Sequence, residues 1–218
     1  MARPLCAEKR KAILLSAIHL FYNDGFNAPT SKIAREAKVS EGTIFTYFKN
    51  KQELMESVYL FLKDDLHDRI CSPKVKNEDC VIENFKARFE AYVDYGIKFP
   101  ERNILISRFI LSKQIPRELI DQIKKSFDEL VSFLDKIRSL GPLKDAPLDL
   151  ALNIFANIGN NVIHFCIVND VQDPELIARY TDMHFHSAWL ALTSETVEAT
   201  RARLEKIPGQ DISCLTNK

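Results

Sequence analysis

An all-α fold is expected from three observations. Apolar residues recur at helical spacing in segment after segment between residues 8 and about 194. No segment alternates with the period of two that marks a half-buried strand. Pro, Gly and Asp/Asn/Ser fall where helices must start and stop.

The elements follow in order. Residues 8–23 place Ile13, Leu14, Ala17, Ile18 and Phe21 on one face, and Asp24-Gly25 ends that helix because glycine tolerates left-handed backbone. Thr30 or Ser31 can cap a second helix through Ala37, and Ser40 a third over about 41–47. Asn50 with Glu53 resembles a capping box and opens a fourth, carrying Leu54, Val58, Phe61, Leu62 and Leu66. Residues 71–79 are polar and contain Pro73, so a loop is expected. Helices then span about 80–98 and 101–112, separated by Pro100. Pro116 begins one long helix to about 139, with Leu119, Ile123, Phe127, Leu130, Leu134 and Ile137 in a stripe. Pro147 opens another to about 168, and Asp173-Pro174 caps one to about 194. Residues 195–206 are charged and helical, and the tail at 207–218 has no apolar period.

The chain of 218 residues has 30 basic and 30 acidic side chains, which cancel. The distribution is uneven. Residues 1–51 hold nine Lys/Arg against four Asp/Glu, a net of +5, and the remainder carries −5. A basic end on an acidic molecule suits a polyanion. No stretch approaches the ~20 apolar residues of a membrane span, and the first residues lack a signal-peptide pattern. Five irregularly spaced cysteines, Cys6, Cys71, Cys80, Cys166 and Cys214, fit a reduced cytoplasmic protein.

Three short helices joined by tight turns within fifty residues are what a helix-turn-helix requires. The turn lies at Lys38-Val39-Ser40, beside the small Ala34 and Ala37. The third helix is too short to be stable alone. Ile44 and Phe48 anchor it, leaving Thr43, Phe45, Thr46 and Tyr47 to face outward. Hydroxyls suit phosphate oxygens, and an exposed aromatic suits a thymine methyl. Gly42 omits a side chain where a partner's surface would approach. Lys51 adds an ammonium to the free N–H groups at the start of the fourth helix, a site for an anion.

The run from Thr30 to Leu54, TSKIAREAKVSEGTIFTYFKNKQEL, closely resembles the TetR family DNA-binding signature, and the match extends back through Ala17, Phe21 and Gly25. The resemblance covers roughly residues 8–60 without a gap. It implies a three-helix DNA-binding domain at 1–51, joined by a helix at 51–68 to a larger helical effector-binding and dimerisation domain at 52–206. Tyr47, Thr43 and Lys51 would contact phosphate, with Phe45 and Thr46 facing bases. Thr30, Ser31, Lys32, Ser40, Glu41 and Gly42 complete the set expected at the DNA. Met-Ala-Arg-Pro at the start and Ala-Trp-Leu-Ala-Leu-Thr at 188–193 are similar to members that repress multidrug-efflux regulons. The partners implied are double-stranded DNA with a palindromic operator, a second copy of the chain, and a small apolar or aromatic effector. No membrane partner and no cofactor are expected.

No catalytic or metal-binding constellation stands out in the remainder. His184 and His186 are two apart and would point to opposite sides of a helix, as would His164 and Cys166. The helix at 147–168 is apolar around most of its circumference and must be buried on several sides. The resemblance to the TetR family implies that this helix and the one at 174–194 form the dimer interface, through Ala156, Gly159, Ile163, His184 and Trp189. Effector candidates are Phe89, Tyr92, Phe127 and Phe155, with Glu90 or Asp94 to neutralise a cationic ligand. Phosphorylated or strongly anionic metabolites are disfavoured, because residues 80–200 carry no Gly-rich cradle. Two rivals share the pattern: a DNA-binding regulator switched by oxidation of Cys71 and Cys80, and a helical small-molecule carrier or enzyme with no DNA role.

Overall fold

The computed structural model describes residues 6–72, 81–139 and 141–205, and among these it contains eleven α-helices and no strand. They are α1 (Ala7–Asp24), α2 (Thr30–Glu36), α3 (Glu41–Tyr47), α4 (Lys51–Ile70), α5 (Val81–Lys98), α6 (Pro100–Ser112), α7 (Arg117–Ser126), α8 (Asp128–Arg138), α9 (Leu148–Val168), α10 (Pro174–Thr193) and α11 (Val197–Glu205). The chain forms two compact units. One comprises Met1–Asp65 and Phe99–Ile123, the other Leu66–Lys98 and Lys124–Lys218. The loop expected at 71–79 lies mostly outside the described residues, as does the tail.

The helix ends have local causes. Ser40 Oγ accepts the Thr43 N–H at 3.2 Å and so caps α3. Asn50 Oδ1 accepts the Glu53 N–H at 2.9 Å, while Glu53 reaches back to the Lys49 N–H at 2.8 Å. Asp173 caps α10 through the Glu175 N–H at 2.9 Å. Gly25 closes α1 at φ 77°, ψ 178°, backbone that a side chain disfavours. The expected cap at Thr30 or Ser31 is corrected. Pro29 occupies the N-cap of α2 and offers no side-chain acceptor, and Thr30 Oγ1 instead donates to Glu41 Oε1 at 2.5 Å.

The single helix expected from 116 to 139 is two, α7 and α8. At Phe127 the backbone leaves the helical range (φ −100°, ψ 9°), and its N–H bonds Lys124 O, three residues back. The break buries the Phe127 ring edge-on to His67, with centroids 5.0 Å apart. Apolar spacing continues through such a break, so periodicity alone reads one helix.

In the first unit, Ile13, Ala17 and Phe21 of α1, Ile33 and Ala34 of α2, Ile44 of α3 and Leu54, Val58 and Leu62 of α4 are buried together with Phe48. α6 completes this core: Phe109 is fully buried, with its ring 4.4 Å from Phe26, 5.6 Å from Tyr59 and 6.4 Å from Phe21. Arg102 of α6 pairs with Asp65 at 2.7 Å while stacking over Phe99.

The second unit packs α5, α9 and α10 around Phe85, which meets Phe155 at 5.3 Å, Trp189 at 5.5 Å and Phe185 at 5.8 Å. Arg138 holds the turn after α8 by donating to the carbonyls of Leu143, Lys144 and Ala146 at 2.7–2.9 Å. Gly141 in that turn is pressed against the backbone of α10, where an added Cβ would fall on the Leu192 carbonyl. At Gly96 the obstacle is the buried Ile163 side chain, three of whose carbons would stand 2.3–3.0 Å from the added Cβ, and a side chain can shift where backbone cannot. Gly141→Ala is therefore expected to lower stability by about 2–3 kcal/mol and Gly96→Ala by less, a ranking that thermal unfolding of the two variants will check.

α9 corrects the expectation about membrane spans, because its length and composition are sufficient to cross one. It packs instead on α5 and α10 through Ala151, Phe155, Gly159, Val162, Ile163 and Cys166. Its apolar character therefore serves packing on its inner side. Leu150, Phe165 and Val168 remain exposed on the outer side.

Candidate functional site

The short α3 is held by Ile44 and Phe48, each 1% exposed. Turning about its axis, the remaining positions open to solvent. Glu41, Gly42, Phe45 and Thr46 are exposed, and Thr43 and Tyr47 are half-buried. Phe45 presents 46% of its surface, unusual for a large apolar side chain unless a partner covers it. A Cβ at Gly42 would meet nothing closer than Ser40 Oγ at 4.0 Å, so packing within the chain does not demand the glycine. It leaves the helix backbone bare on its outer side.

The polar groups around α3 are partly committed to one another. Ser40 and Thr43 hydroxyls lie 2.8 Å apart, and Thr46 Oγ1 donates to Gly42 O at 3.1 Å. The Cys6 backbone N–H donates to Tyr47 Oη at 3.0 Å, which leaves the phenolic hydrogen for another acceptor. Ser31 is exposed on α2, and Lys32 beside it pairs with Asp24 at 2.5 Å. Lys51 sits in the first turn of α4, where partial burial lowers the pKa of its ammonium from the usual lysine value. The eleven residues expected at the DNA thus lie on α2, α3, the turn between them and the start of α4.

In the second unit the structure gathers three of the four aromatic effector candidates. Phe155 of α9 meets Phe89 at 5.6 Å and Tyr92 at 6.3 Å, both on α5. Tyr92 Oη donates to Asn160 Oδ1 at 2.9 Å, and burial raises its pKa. Phe127 packs instead against His67. The carboxylates considered as ligand partners are exposed, and Asp94 pairs with Lys98 at 2.8 Å.

Three residues expected at a subunit interface turn inward. A Cβ on Gly159 would lie 2.7 Å from the Tyr92 ring of the same chain. Ile163 is fully buried against Gly96. Trp189 is 2% exposed, packed on Phe85 and donating its indole N–H to Thr200 Oγ1 at 3.2 Å. α9 carries two apolar stripes, and Gly159 and Ile163 lie on the inner one. Ala156 and His184 are half-buried. His184 Nε2 lies 3.0 Å from Asn161 Oδ1, in a groove also lined by Ile154, Asn157, Ile158 and Ser187. Around that groove Leu150, Phe165 and Val168 of α9 and Leu176, Met183 and Leu190 of α10 are exposed, an outer stripe that helical spacing could have separated from the inner one.

Among the described cysteines Cys6 is exposed and Cys71 and Cys166 are buried; Cys80 and Cys214 lie outside the described residues. No group of three or more potential metal ligands occurs among the described residues.

A helix-turn-helix with a solvent-facing third helix defines a DNA-binding transcriptional regulator, not an enzyme. Residues 13–58 match the family of bacterial regulatory proteins described as the tetR family. The chain is 36% identical over 178 residues to the "Fatty acid metabolism regulator protein" of Bacillus subtilis, a match covering 78% of this chain and 89% of that relative. The chain belongs to the TetR family. Three other relatives from the same organism, each described as an "Uncharacterized HTH-type transcriptional regulator", are matched over only 25–33% of their length. Among solved structures, a "putative tetR family transcription regulator" from Shewanella superposes with a TM-score of 0.74 at 22% identity, covering 84% of this chain and 97% of that one. The "transcriptional regulator FadR from Bacillus subtilis in complex with stearoyl-CoA" gives 0.59 at 19% identity, covering 85% and 98%.

Proposed function

We propose that the protein is a homodimeric repressor that docks α3 of each subunit into successive major grooves of a palindromic operator and leaves the DNA when a long-chain acyl-CoA binds the second unit. The observation that carries the DNA half is the outer face of α3, where Gly42, Phe45 and Thr46 stand open while Ile44 and Phe48 hold the helix from below. Tyr47, Thr43 and Lys51 contact phosphate. Phe45 and Thr46 face bases, and Glu41 offers an acceptor to a cytosine amino group. Thr30, Ser31, Lys32 and Ser40 flank the groove. Lys32 exchanges its surface pair with Asp24 for a phosphate at little cost. Half-sites lie about 34–36 Å apart, one turn of DNA.

Dimerisation is assigned to the outer stripe of α9 and α10, Leu150, Phe165, Val168, Leu176, Met183 and Leu190, because exposed apolar side chains in a row at helical spacing call for a partner. A self-complementary face of this kind closes a twofold pair. Ala156 and His184 lie within the same two helices.

For the effector, the relative named for fatty acid metabolism and the neighbour solved with stearoyl-CoA support an acyl-CoA. The ring cluster of Phe89, Tyr92 and Phe155 supplies the apolar seam between α5 and α9 that an acyl chain would enter. An acyl-CoA is phosphorylated and strongly anionic, so this reading departs from the expectation against such ligands; its apolar chain keeps the expectation of an apolar effector.

The test starts with operator fragments recovered from genomic DNA by the full-length protein. Stearoyl-CoA at micromolar concentration is expected to release the labelled operator, and free CoA is not, as read by fluorescence anisotropy. Release by hydrophobic dyes but not by stearoyl-CoA would replace the effector class. No retained fragment at all would overturn the DNA-binding assignment.

A further inference from the structure

We propose that Arg88 is a positioning residue for DNA binding: its buried guanidinium anchors the C-terminal end of α4, and effector entry beside it loosens that anchor. The effector clause rests on the reading above; the anchoring clause stands by itself.

Arg88 lies on α5 and is only 3% exposed. A cation so buried is costly unless its donors are used and its charge is offset. Nη1 donates to the carbonyl of Ile70 at 3.0 Å and lies 3.8 Å from Cys71 Sγ. Nε donates to Asn84 Oδ1 at 2.7 Å, one turn back on its own helix. Nη2 faces Glu129 Oε1 at 3.5 Å, and the guanidinium lies 5.4 Å from the Phe133 ring centre, both partners being on α8. One planar group therefore links α4, α5 and α8.

The α4 contact is specific in kind. Ile70 is the last residue of α4, and its carbonyl is among the four at a helix C-terminus that lack an intrahelical donor. A guanidinium there satisfies the carbonyl and meets the negative end of the helix dipole. The opposite end of this unbroken helix begins at Lys51, beside α3. What Arg88 secures is thus the far end of the helix whose first turn borders the DNA-reading face.

The next residue in sequence, Phe89, belongs to the ring cluster with Phe155. An acyl chain that enters at the Phe89 ring therefore acts on the residue adjoining Arg88 on α5. Among the described residues the carboxylate facing Arg88 is that of Glu129, whose own side chain is 62% exposed. A shift of α5 toward Glu129 and Phe133 would draw the fork from the Ile70 carbonyl.

The experiment uses the full-length chain with Arg88→Met, Arg88→Lys and Asn84→Leu. Asn84 is only half-buried, so its replacement removes the acceptor that orients Nε without opening the core. Operator affinity is measured without effector, amide exchange is followed along α4 and α9, and operator release is titrated with stearoyl-CoA. Arg88→Met is expected to weaken operator binding at least tenfold and to speed exchange at the amides of residues 67–71 more than those of α9. Asn84→Leu should shift both in the same direction, about threefold. Arg88→Lys, which keeps a cation at the carbonyl, should recover most of the affinity. In Arg88→Met the ratio of operator Kd with and without stearoyl-CoA should fall toward one, a change that a purely structural role would not produce. Operator affinity within twofold of wild type in both Arg88→Met and Asn84→Leu, with α4 exchange unaltered, would overturn the anchor. If Arg88→Met does not fold, Asn84→Leu decides alone. Failure of stearoyl-CoA to release the wild-type protein would remove the effector reading and, with it, the loosening clause, while affinity and exchange still decide the anchor.

Discussion

Tyr47→Ala combined with Lys51→Ala is expected to reduce operator affinity by about three to four orders of magnitude while leaving the fold intact. In the proposed complex each side chain would give one hydrogen bond to a phosphate per subunit, so a dimer would lose four. At about 1–1.5 kcal/mol for each such bond, the total is about 4–6 kcal/mol. The fold survives because the anchors are other residues: Ile44 and Phe48 are 1% exposed, whereas Tyr47 and Lys51 are half-buried. Lys51→Ala alone should also reduce the slope of log affinity against log salt by about 0.9 per subunit, since one fewer counterion is released. Phe45→Ala should leave that slope alone and relax the preference for particular bases. Gel-shift titration on operator and scrambled DNA at several salt concentrations separates these effects. Wild-type affinity in the double variant would reject the assignment of α3 and the start of α4 to the DNA.

Phe165→Asp with Met183→Asp is expected to convert the dimer into a folded monomer. Both side chains are exposed in the isolated subunit, at 48% and 56%, so a charge there costs its own fold little. In a dimer the same positions place four carboxylates in an apolar seam, at several kcal/mol for each unpaired buried charge. Operator affinity should collapse with the dimer, because two linked reading heads bind far more tightly than either alone. Gly159→Arg provides the contrast. Its side chain would enter the space filled by the Tyr92 ring of the same chain, so it should lower the unfolding temperature before it affects association. Sedimentation at micromolar concentration and thermal unfolding of the two variants discriminate. A double aspartate variant that remains dimeric would move the interface elsewhere.

The order and type of the elements were legible in the residues themselves. Local rules set them: the Ser40 and Asp173 caps, the Asn50–Glu53 capping pair, Gly25 at positive φ, and Pro100 and Pro147 at helix starts. The reading helix was legible for the same reason, since in seven residues Ile44 has only one side on which to be buried. Tertiary structure decided what spacing leaves open. It divided the stripe from 116 to 139 at Phe127, because burying that ring against His67 outweighs one more helical turn. It gave Phe109 of α6 to the core beneath the helix-turn-helix, a pairing with no local signal because the partners are far apart in sequence. On α9 it chose which of two apolar stripes faces inward. Gly159 and Ile163 went to the inside because only the absence of a Cβ at Gly159 admits the Tyr92 ring, and only that at Gly96 admits Ile163. Periodicity reports that a helix has an apolar side; the shape of its neighbours determines which side is filled by its own chain and which is left for another.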